Sequence, residues 1–289
     1  MSKQLRPELR KRFETSIDIL RDRLDFAMST VRIPKPIDGV EWIESNVVVP
    51  KAVSAAGGIE ITLYGYQKGL VRLALAPTTK EFAVIKGTRT GLTQLVNAIL
   101  AFHVAYEGRP AGLWQPTEDK AKKFATEYWI PTFKESRTLR RLLRKPVKGD
   151  IQDRWNWMQL RNGGKFILGF ASSDDQFRGD TVSVTAGDEV DADAWMAGGK
   201  GSQGGKFELM WERSRTFWNR KQYLWSSPLN EGTSNINERW LKGTQHRYFV
   251  RCPHEDCRPA AGSDRHASSA QSDFRGASGA APAPPRVTT

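Results

Sequence analysis

From residue 64 to about residue 245, short apolar runs alternate with stretches of helical periodicity, and this alternation narrows the possible folds more than any other feature of the chain. The runs at 81–86, 111–115, 165–170, 181–186 and 222–226 predict strands. Helices are expected over 94–106, from a Thr117 cap to about residue 130, and over 234–242. Glu118 and Asp119 fall in the first turn of the second, where the helix dipole favours acids. Strands interleaved with helices specify an α/β fold with a mostly parallel sheet. No internal repeat interrupts the pattern.

The two ends differ from this middle. Leu5, Leu9, Phe13, Ile17, Leu20, Leu24 and Met28 recur every three or four positions, which predicts a basic amphipathic helix, and Pro34 and Pro36 break it. The expected domains are therefore an N-terminal helical segment over 1–36, a lead-in over 37–63, a main domain over 64–250 and a tail over 251–289. The tail contains no Leu, Ile, Met, Lys, Trp or Tyr. Such a segment cannot offset its ordering entropy, so it is expected to be disordered. The abrupt change after Val250 suggests a reading-frame change or a mis-assigned end.

Both cysteines, Cys252 and Cys257, lie at this junction, which fits a reducing compartment and excludes a disulfide scaffold. No apolar run is long enough to cross a bilayer, and the N-terminus lacks a secretory apolar core. The net charge of +12 favours a polyanionic partner, with plain solubility as the alternative. Residues 134–154 concentrate the excess, with eight Lys or Arg against three acids. Arg137, Arg140, Arg141, Arg144, Lys145 and Lys148 are the candidates for contacting DNA; the alternative is a solvated helix face.

Two stretches carry the chemistry. The first, Lys86-Gly87-Thr88-Arg89-Thr90-Gly91-Leu92-Thr93, follows a predicted strand and opens a predicted helix. A phosphate-binding loop reads G-x-x-x-x-G-K-[ST], and its N–H groups wrap phosphates while its hydroxyl holds Mg²⁺. Gly91 and Thr93 match that pattern, but Leu92 replaces the usual Lys. Lys86, seven residues before Thr93, can fold back to supply the missing cation, and Arg89 is a second. The second stretch ends a predicted strand in Asp188-Glu189. Phosphoryl transfer needs one carboxylate for the metal and a group to orient water. Asp188, with Thr93, would hold Mg²⁺, and Glu189 would polarise the water. The alternative is a surface acidic turn, since Asp191 and Asp193 follow.

Other residues extend this set. Tyr66 can stack on adenine while Gln67 reads its edge. Gln115-Pro116-Thr117 ends a strand at the sheet edge where ligands bind. Arg178 can reach the γ-phosphate or DNA, and Ser226-Ser227 can sense the γ-phosphate. Each also has a plainer reading as a helix start, a surface salt bridge or a turn.

Taken in order, YGYQ at 64–67, IKGTRTGLT at 85–93, QPTEDKAKKF at 115–124, FRGDTV at 177–182, GDEVDA at 187–192, RTFWNRKQYLWSSP at 215–228 and RYFVRCPH at 247–254 resemble the ATPase half of tailed-phage terminase large subunits of the lambda-like GpA group. That family moves the cation to the start of the loop. The resemblance implies a P-loop NTPase of the ASCE/RecA-like type, with helices flanking the sheet. It also implies an ATP- and Mg²⁺-dependent motor that drives double-stranded viral DNA into a procapsid in the host cytoplasm. The implied partners are a small terminase subunit and the portal protein, on which the motor would oligomerise. By matching position, Lys86, Arg89 and Thr93 would serve the phosphates and Mg²⁺, Asp188 and Glu189 would be the acidic pair, and Ser226 and Ser227 would couple hydrolysis to motion. The family's second Cys pair and nuclease carboxylates have no counterpart, so neither structural zinc nor DNA cleavage is expected. Cys252, Cys257 and His254 are one ligand short of a closed site. The competing readings are a helicase-like translocase and a prophage remnant that binds DNA or its partner protein without turnover.

Overall fold

A computed structural model describes residues 16–24, 37–55, 57–144, 154–196, 205–229, 233–248 and 274–275. Six strands form one sheet: β1 (Glu81–Ile85), β2 (Ala111–Gln115), β3 (Trp157–Gln159), β4 (Lys165–Phe170), β5 (Val184–Asp188) and β6 (Lys221–Ser226). Their order is β1-β6-β5-β2-β4-β3, all parallel except the β3–β4 pair. Residues 16–24 form α1, and every one of them is exposed.

The strands at the centre are buried on both faces. All residues of β2, β5 and β6 are buried, as expected where helices cover a parallel sheet. β5 begins later than its apolar pattern predicts, at Val184. Its polar members are satisfied internally: Ser183 Oγ donates to the Pro110 carbonyl at 3.1 Å, and Thr185 Oγ1 to that of Lys221 at 3.4 Å. Close packing across the sheet requires glycine at one point. Trp114 lies over Gly112 and Gly169, and a Cβ on Gly169 would approach its Nε1 to 2.5 Å.

One face of the sheet is covered by α2 (Gly39–Asn46), α3 (Gly65–Leu75) and α4 (Leu92–Ala101). Val40, Trp42 and Ile43 of α2 share the apolar core of α3 and α4, so the lead-in segment packs into the main domain. α4 continues as a π-helical turn, Phe102–Tyr106. Thr117 caps α5 (Glu118–Phe124) as expected. The helical path then continues through a π turn at Ala125–Trp129 into α6 (Ile130–Glu135), five residues beyond the predicted end. The other face carries a second apolar cluster around Trp114, Phe177, Trp195 and Phe207, with α7 (Asp193–Met196) and α8 (Lys206–Glu212). α9 (Asn235–Lys242) is capped by Ser234 and leads to β7 (Arg247–Tyr248). The tail lies outside the described residues except for β8 (Phe274–Arg275), which pairs antiparallel with β7. Lys145, Lys148, Cys252, His254 and Cys257 also lie outside them. Among the described residues, no helix is long and apolar enough to cross a membrane.

Candidate functional site

The C-terminal ends of β1, β6, β5 and β2 lie side by side, and each delivers one polar residue to the same edge: Lys86, Ser226, Asp188 and Gln115. This is the edge at which open α/β sheets bind ligands. Lys86 stands just past β1 and Asp188 ends β5, with β6 between them. Strands are spaced about 4.8 Å apart, so the two backbones are roughly 10 Å apart. The lysine side chain spans that gap, and its Nζ donates to Asp188 Oδ1 at 3.1 Å. Both side chains are nearly buried, at 13% and 6% exposure. The relocated cation and the strand-end carboxylate are therefore in direct contact at one sheet edge.

Asp188 is fully engaged. Its Oδ1 also accepts the Glu189 N–H at 2.8 Å, and its Oδ2 accepts Gln115 Nε2 at 3.2 Å. Gln115 thus joins the acidic centre directly, a contact that its position at a strand end hints at without specifying. Breaking one partner away from a buried ion pair is costly unless another cation replaces it.

The loop between β1 and α4 contains two left-handed residues. Arg89 and Gly91 both have left-handed backbones, with φ of 58° and 68°. Alternation of right- and left-handed residues is the backbone pattern from which anion-binding nests are built. Gly91 is suited to this; Arg89, a β-carbon residue, is strained there. Tyr66 Oη donates to the Thr90 carbonyl at 2.6 Å, and Gln67 Nε2 reaches the same oxygen at 3.4 Å. Gln67 also accepts the Tyr64 N–H at 3.0 Å as part of the α3 capping box. The Tyr66-Gln67 pair is thus bonded to the loop itself and braces it. Leu92 is buried in the apolar core, so its side chain packs, and Thr93 follows in the first turn of α4. Gly87, Thr88 and Arg89 are exposed at the mouth of the loop.

A cavity of about 1110 Å³ opens beside the loop. Tyr66, Lys86, Gly87, Thr90, Trp240 and Tyr248 are among the residues that line it, and the Tyr66 and Tyr248 rings meet edge to face at 5.9 Å.

Glu189 follows Asp188 with φ of 47°, another left-handed residue that is not glycine. Its carboxylate pairs with Lys120 in the first turn of α5. Burial, together with the charges of Glu127 and Asp188, pushes the nearby Tyr128 phenol up from its usual value. Ser226 Oγ accepts the Asp191 N–H at 3.2 Å and donates to the Ser227 carbonyl at 3.0 Å. Arg178 is paired with Asp175 at 3.5 Å and makes no described contact with this centre. Asp191, which reads in the sequence as part of a surface turn, is 2% exposed and is therefore a core residue.

The exposed Arg137, Arg140, Arg141 and Arg144 surround a 3₁₀ turn at Leu139–Leu142. A bridge between Leu143 and Leu160 fixes this segment to the turn that precedes β4. That is the N-terminal end of the strand, away from Lys86.

A family model described as the ATPase domain of the phage terminase large subunit gpA matches residues 54–261. The chain is 25% identical over 228 residues to the terminase large subunit of Enterobacteria phage P21, covering 77% of this chain and 34% of that protein. It thus spans about a third of the length of this curated relative. Among solved structures it is similar in fold to the HK97 bacteriophage large terminase, with a TM-score of 0.55 and 12% identity over 71% of this chain and 41% of that one. The Thermus phage P74-26 large terminase ATPase domain overlays more loosely, with a TM-score of 0.42 and 16% identity over 64% of this chain and 71% of that domain.

Proposed function

The chain belongs to the family of gpA-type phage terminase large subunit ATPase domains, and on that ground we propose that it hydrolyses ATP at the edge where Lys86 meets Asp188, and that hydrolysis serves the packaging of double-stranded viral DNA. The observation that carries this reading is the 3.1 Å contact between Lys86 and Asp188 across an intervening strand. It places a cation from the start of the loop and a carboxylate 102 positions later where one ligand could contact both.

Each residue has a role in this scheme. The loop Gly87-Thr88-Arg89-Thr90-Gly91 presents its N–H groups to the phosphates, with Arg89 adding charge at the mouth. Lys86 would pass from Asp188 to the phosphates, and the Asp188 carboxylate and the Thr93 hydroxyl would then be the residues that hold Mg²⁺. The donor set fits: Mg²⁺ is commonly held by one or two protein oxygens plus substrate phosphates. When bound, Mg²⁺ neutralises charge developing on the phosphoryl oxygens. Glu189 orients the attacking water and accepts its proton, after Lys120 has released it. Tyr66 borders the cavity beside the loop and there contacts the base, with Gln67 behind it. Ser226 and Ser227 report the state of the phosphates to the segment that follows β6. The partners implied by the family, namely viral DNA, the small subunit and the portal protein, belong to the same proposal.

The direct test is phosphate release by the whole chain, with and without duplex DNA, for wild type and Glu189→Gln. Nucleotide binding is expected to survive in the variant, with turnover reduced by about 100-fold or more, in line with loss of a general base. Wild-type turnover in Glu189→Gln would remove Glu189 from this role.

A further inference from the structure

Glu189 adopts a backbone state that its own side chain does nothing to hold. Its carboxylate pairs with Lys120 in the first turn of α5. Left-handed backbone at a residue other than glycine persists only when its surroundings over-determine it. The turn is fixed on both sides. Before Glu189, Trp195 Nε1 donates to the Asp188 carbonyl at 3.0 Å. After it, the Asn235 side chain donates to the Val190 carbonyl at 2.9 Å, and Asp191 follows.

Asp191 makes most of these anchoring bonds. Its N–H donates to Ser226 Oγ. Its Oδ1 accepts the Ile236 N–H at 2.9 Å, and its Oδ2 accepts the Leu229 N–H at 3.1 Å and Ser234 Oγ at 2.5 Å. Ser234 in turn caps α9 by accepting the Asn237 N–H at 3.1 Å. The carboxylate lies at the N-terminal end of α9, where the helix dipole favours a negative charge. The backbone N–H of Asp191 therefore ties the acidic turn to the end of β6, and its buried carboxylate ties it to the segment after β6 and to α9.

We infer that Asp191 is a positioning residue that holds Glu189 in its left-handed state and so aims the Glu189 carboxylate at the phosphate edge. The inference rests on the proposed role of Glu189. A second consequence is mechanical: a displacement at Ser226 reaches α9, and α9 borders the cavity through Trp240, by way of Asp191.

The test uses Asp191→Asn and Ser234→Ala in the full chain. Phosphate release gives kcat, titration with a fluorescent ATP analogue gives nucleotide Kd, and circular dichroism gives the folded fraction. Asp191→Asn is expected to lower kcat at least tenfold while Kd stays within about twofold of wild type. Ser234→Ala removes one bond to Asp191 and the α9 cap but keeps the Asp191 carboxylate and its two backbone partners, so a smaller kcat loss is expected, again without a change in Kd. An active wild type whose kcat is unchanged in Ser234→Ala and in folded Asp191→Asn overturns the inference and leaves the ATPase reading standing. So does a parallel loss of kcat, affinity and folded fraction, which would mark Asp191 as structural only. A wild-type chain that releases no phosphate under any condition sinks both readings together.

Discussion

At the N-terminal ends of the strands, His103 is held between Glu107 at 2.5 Å and the Tyr223 hydroxyl at 2.7 Å. Tyr223 donates onward to the Ala74 carbonyl, and Lys221 donates to the carbonyls of Ala74, Ala76 and Thr79. Arg109 closes the set on Glu107 and Ser183. At the C-terminal ends, Lys86, Asp188 and Glu189 are also paired, but on strained backbone at Arg89 and Glu189 and beside an open cavity. The lower network joins α3, the end of α4 and β6 through bonds between side chains and from side chains to main-chain carbonyls. The upper one pairs cations with carboxylates that, in the proposed reaction, a nucleotide and a metal would each exchange. Polar groups of similar kind thus serve stability at one end and chemistry at the other, and backbone strain marks which is which.

The largest expected effect separates the two ends at Lys86. Lys86→Ala removes a charged donor from the phosphates and should weaken nucleotide binding by about 1.5–3 kcal/mol, roughly ten- to hundredfold. Leu92→Ala, at the position where such loops usually carry their lysine, should lower thermal stability through lost core packing and leave affinity nearly unchanged. Titration with a fluorescent nucleotide checks both. A larger affinity loss in Leu92→Ala would place the cation function elsewhere.

Much of the upper edge is legible from the chain alone because strand ends carry their own signals. Apolar runs ending in Lys86 and Asp188-Glu189 announce where charge leaves the core. Gly91 marks a left-handed turn, and Thr117 is a cap that needs no partner far away. The remainder depends on contacts distant in sequence. Asp191 resembles a solvated acid until Leu229, Ser234 and Ile236 close over it. Lys120 belongs to an ordinary amphipathic turn until Glu189 is placed above it. The whole lower network is invisible for the same reason: His103 and Tyr223 are 120 positions apart. β3 is missed because a three-residue strand that pairs only at the sheet's edge has no periodicity to read.

The lower end should respond to mutation in stability and not in turnover. Tyr223→Phe leaves His103 Nε2 buried without its partner and should cost about 1–3 kcal/mol of folding stability in chemical denaturation. The turnover of the folded fraction should be unchanged. A loss of kcat without a loss of stability would dissolve the distinction between the two ends.

A smaller effect follows from pH. Burial holds the His103 imidazole below its usual value, against the opposing pull of Glu107. In the unfolded chain the group returns to about 6.5. Because the folded-state value is the lower one, the unfolded state binds the proton more readily once pH falls below about 6.5. The contribution to stability is therefore fully present above that value and is lost as pH falls through the folded-state value. Glu107, also held low by its His103 and Arg109 partners, loses its contribution in the same direction at more acidic pH. The melting temperature should fall on acidification from pH 7 to pH 5, and the fall should flatten in His103→Gln. An equal slope in that variant would assign the acid sensitivity to other groups.

The smallest effect concerns the arginines beside Leu139–Leu142. The Leu143–Leu160 bridge attaches this segment at the N-terminal end of β4, away from the phosphate edge. If it contacts DNA, binding and nucleotide chemistry are separated by the height of the sheet, and mutation should affect one without the other. Exposed arginines that neutralise phosphates release counterions, so each lost contact lowers the slope of log affinity against log salt by about 0.9. Replacing Arg140 and Arg141 together with Gln should therefore reduce that slope by about 2 on duplex DNA. Nucleotide affinity measured without DNA should not move. A slope that is unaltered would return these side chains to solvent. A change in nucleotide affinity would mean that the lower end of the sheet communicates with the phosphate edge even at rest.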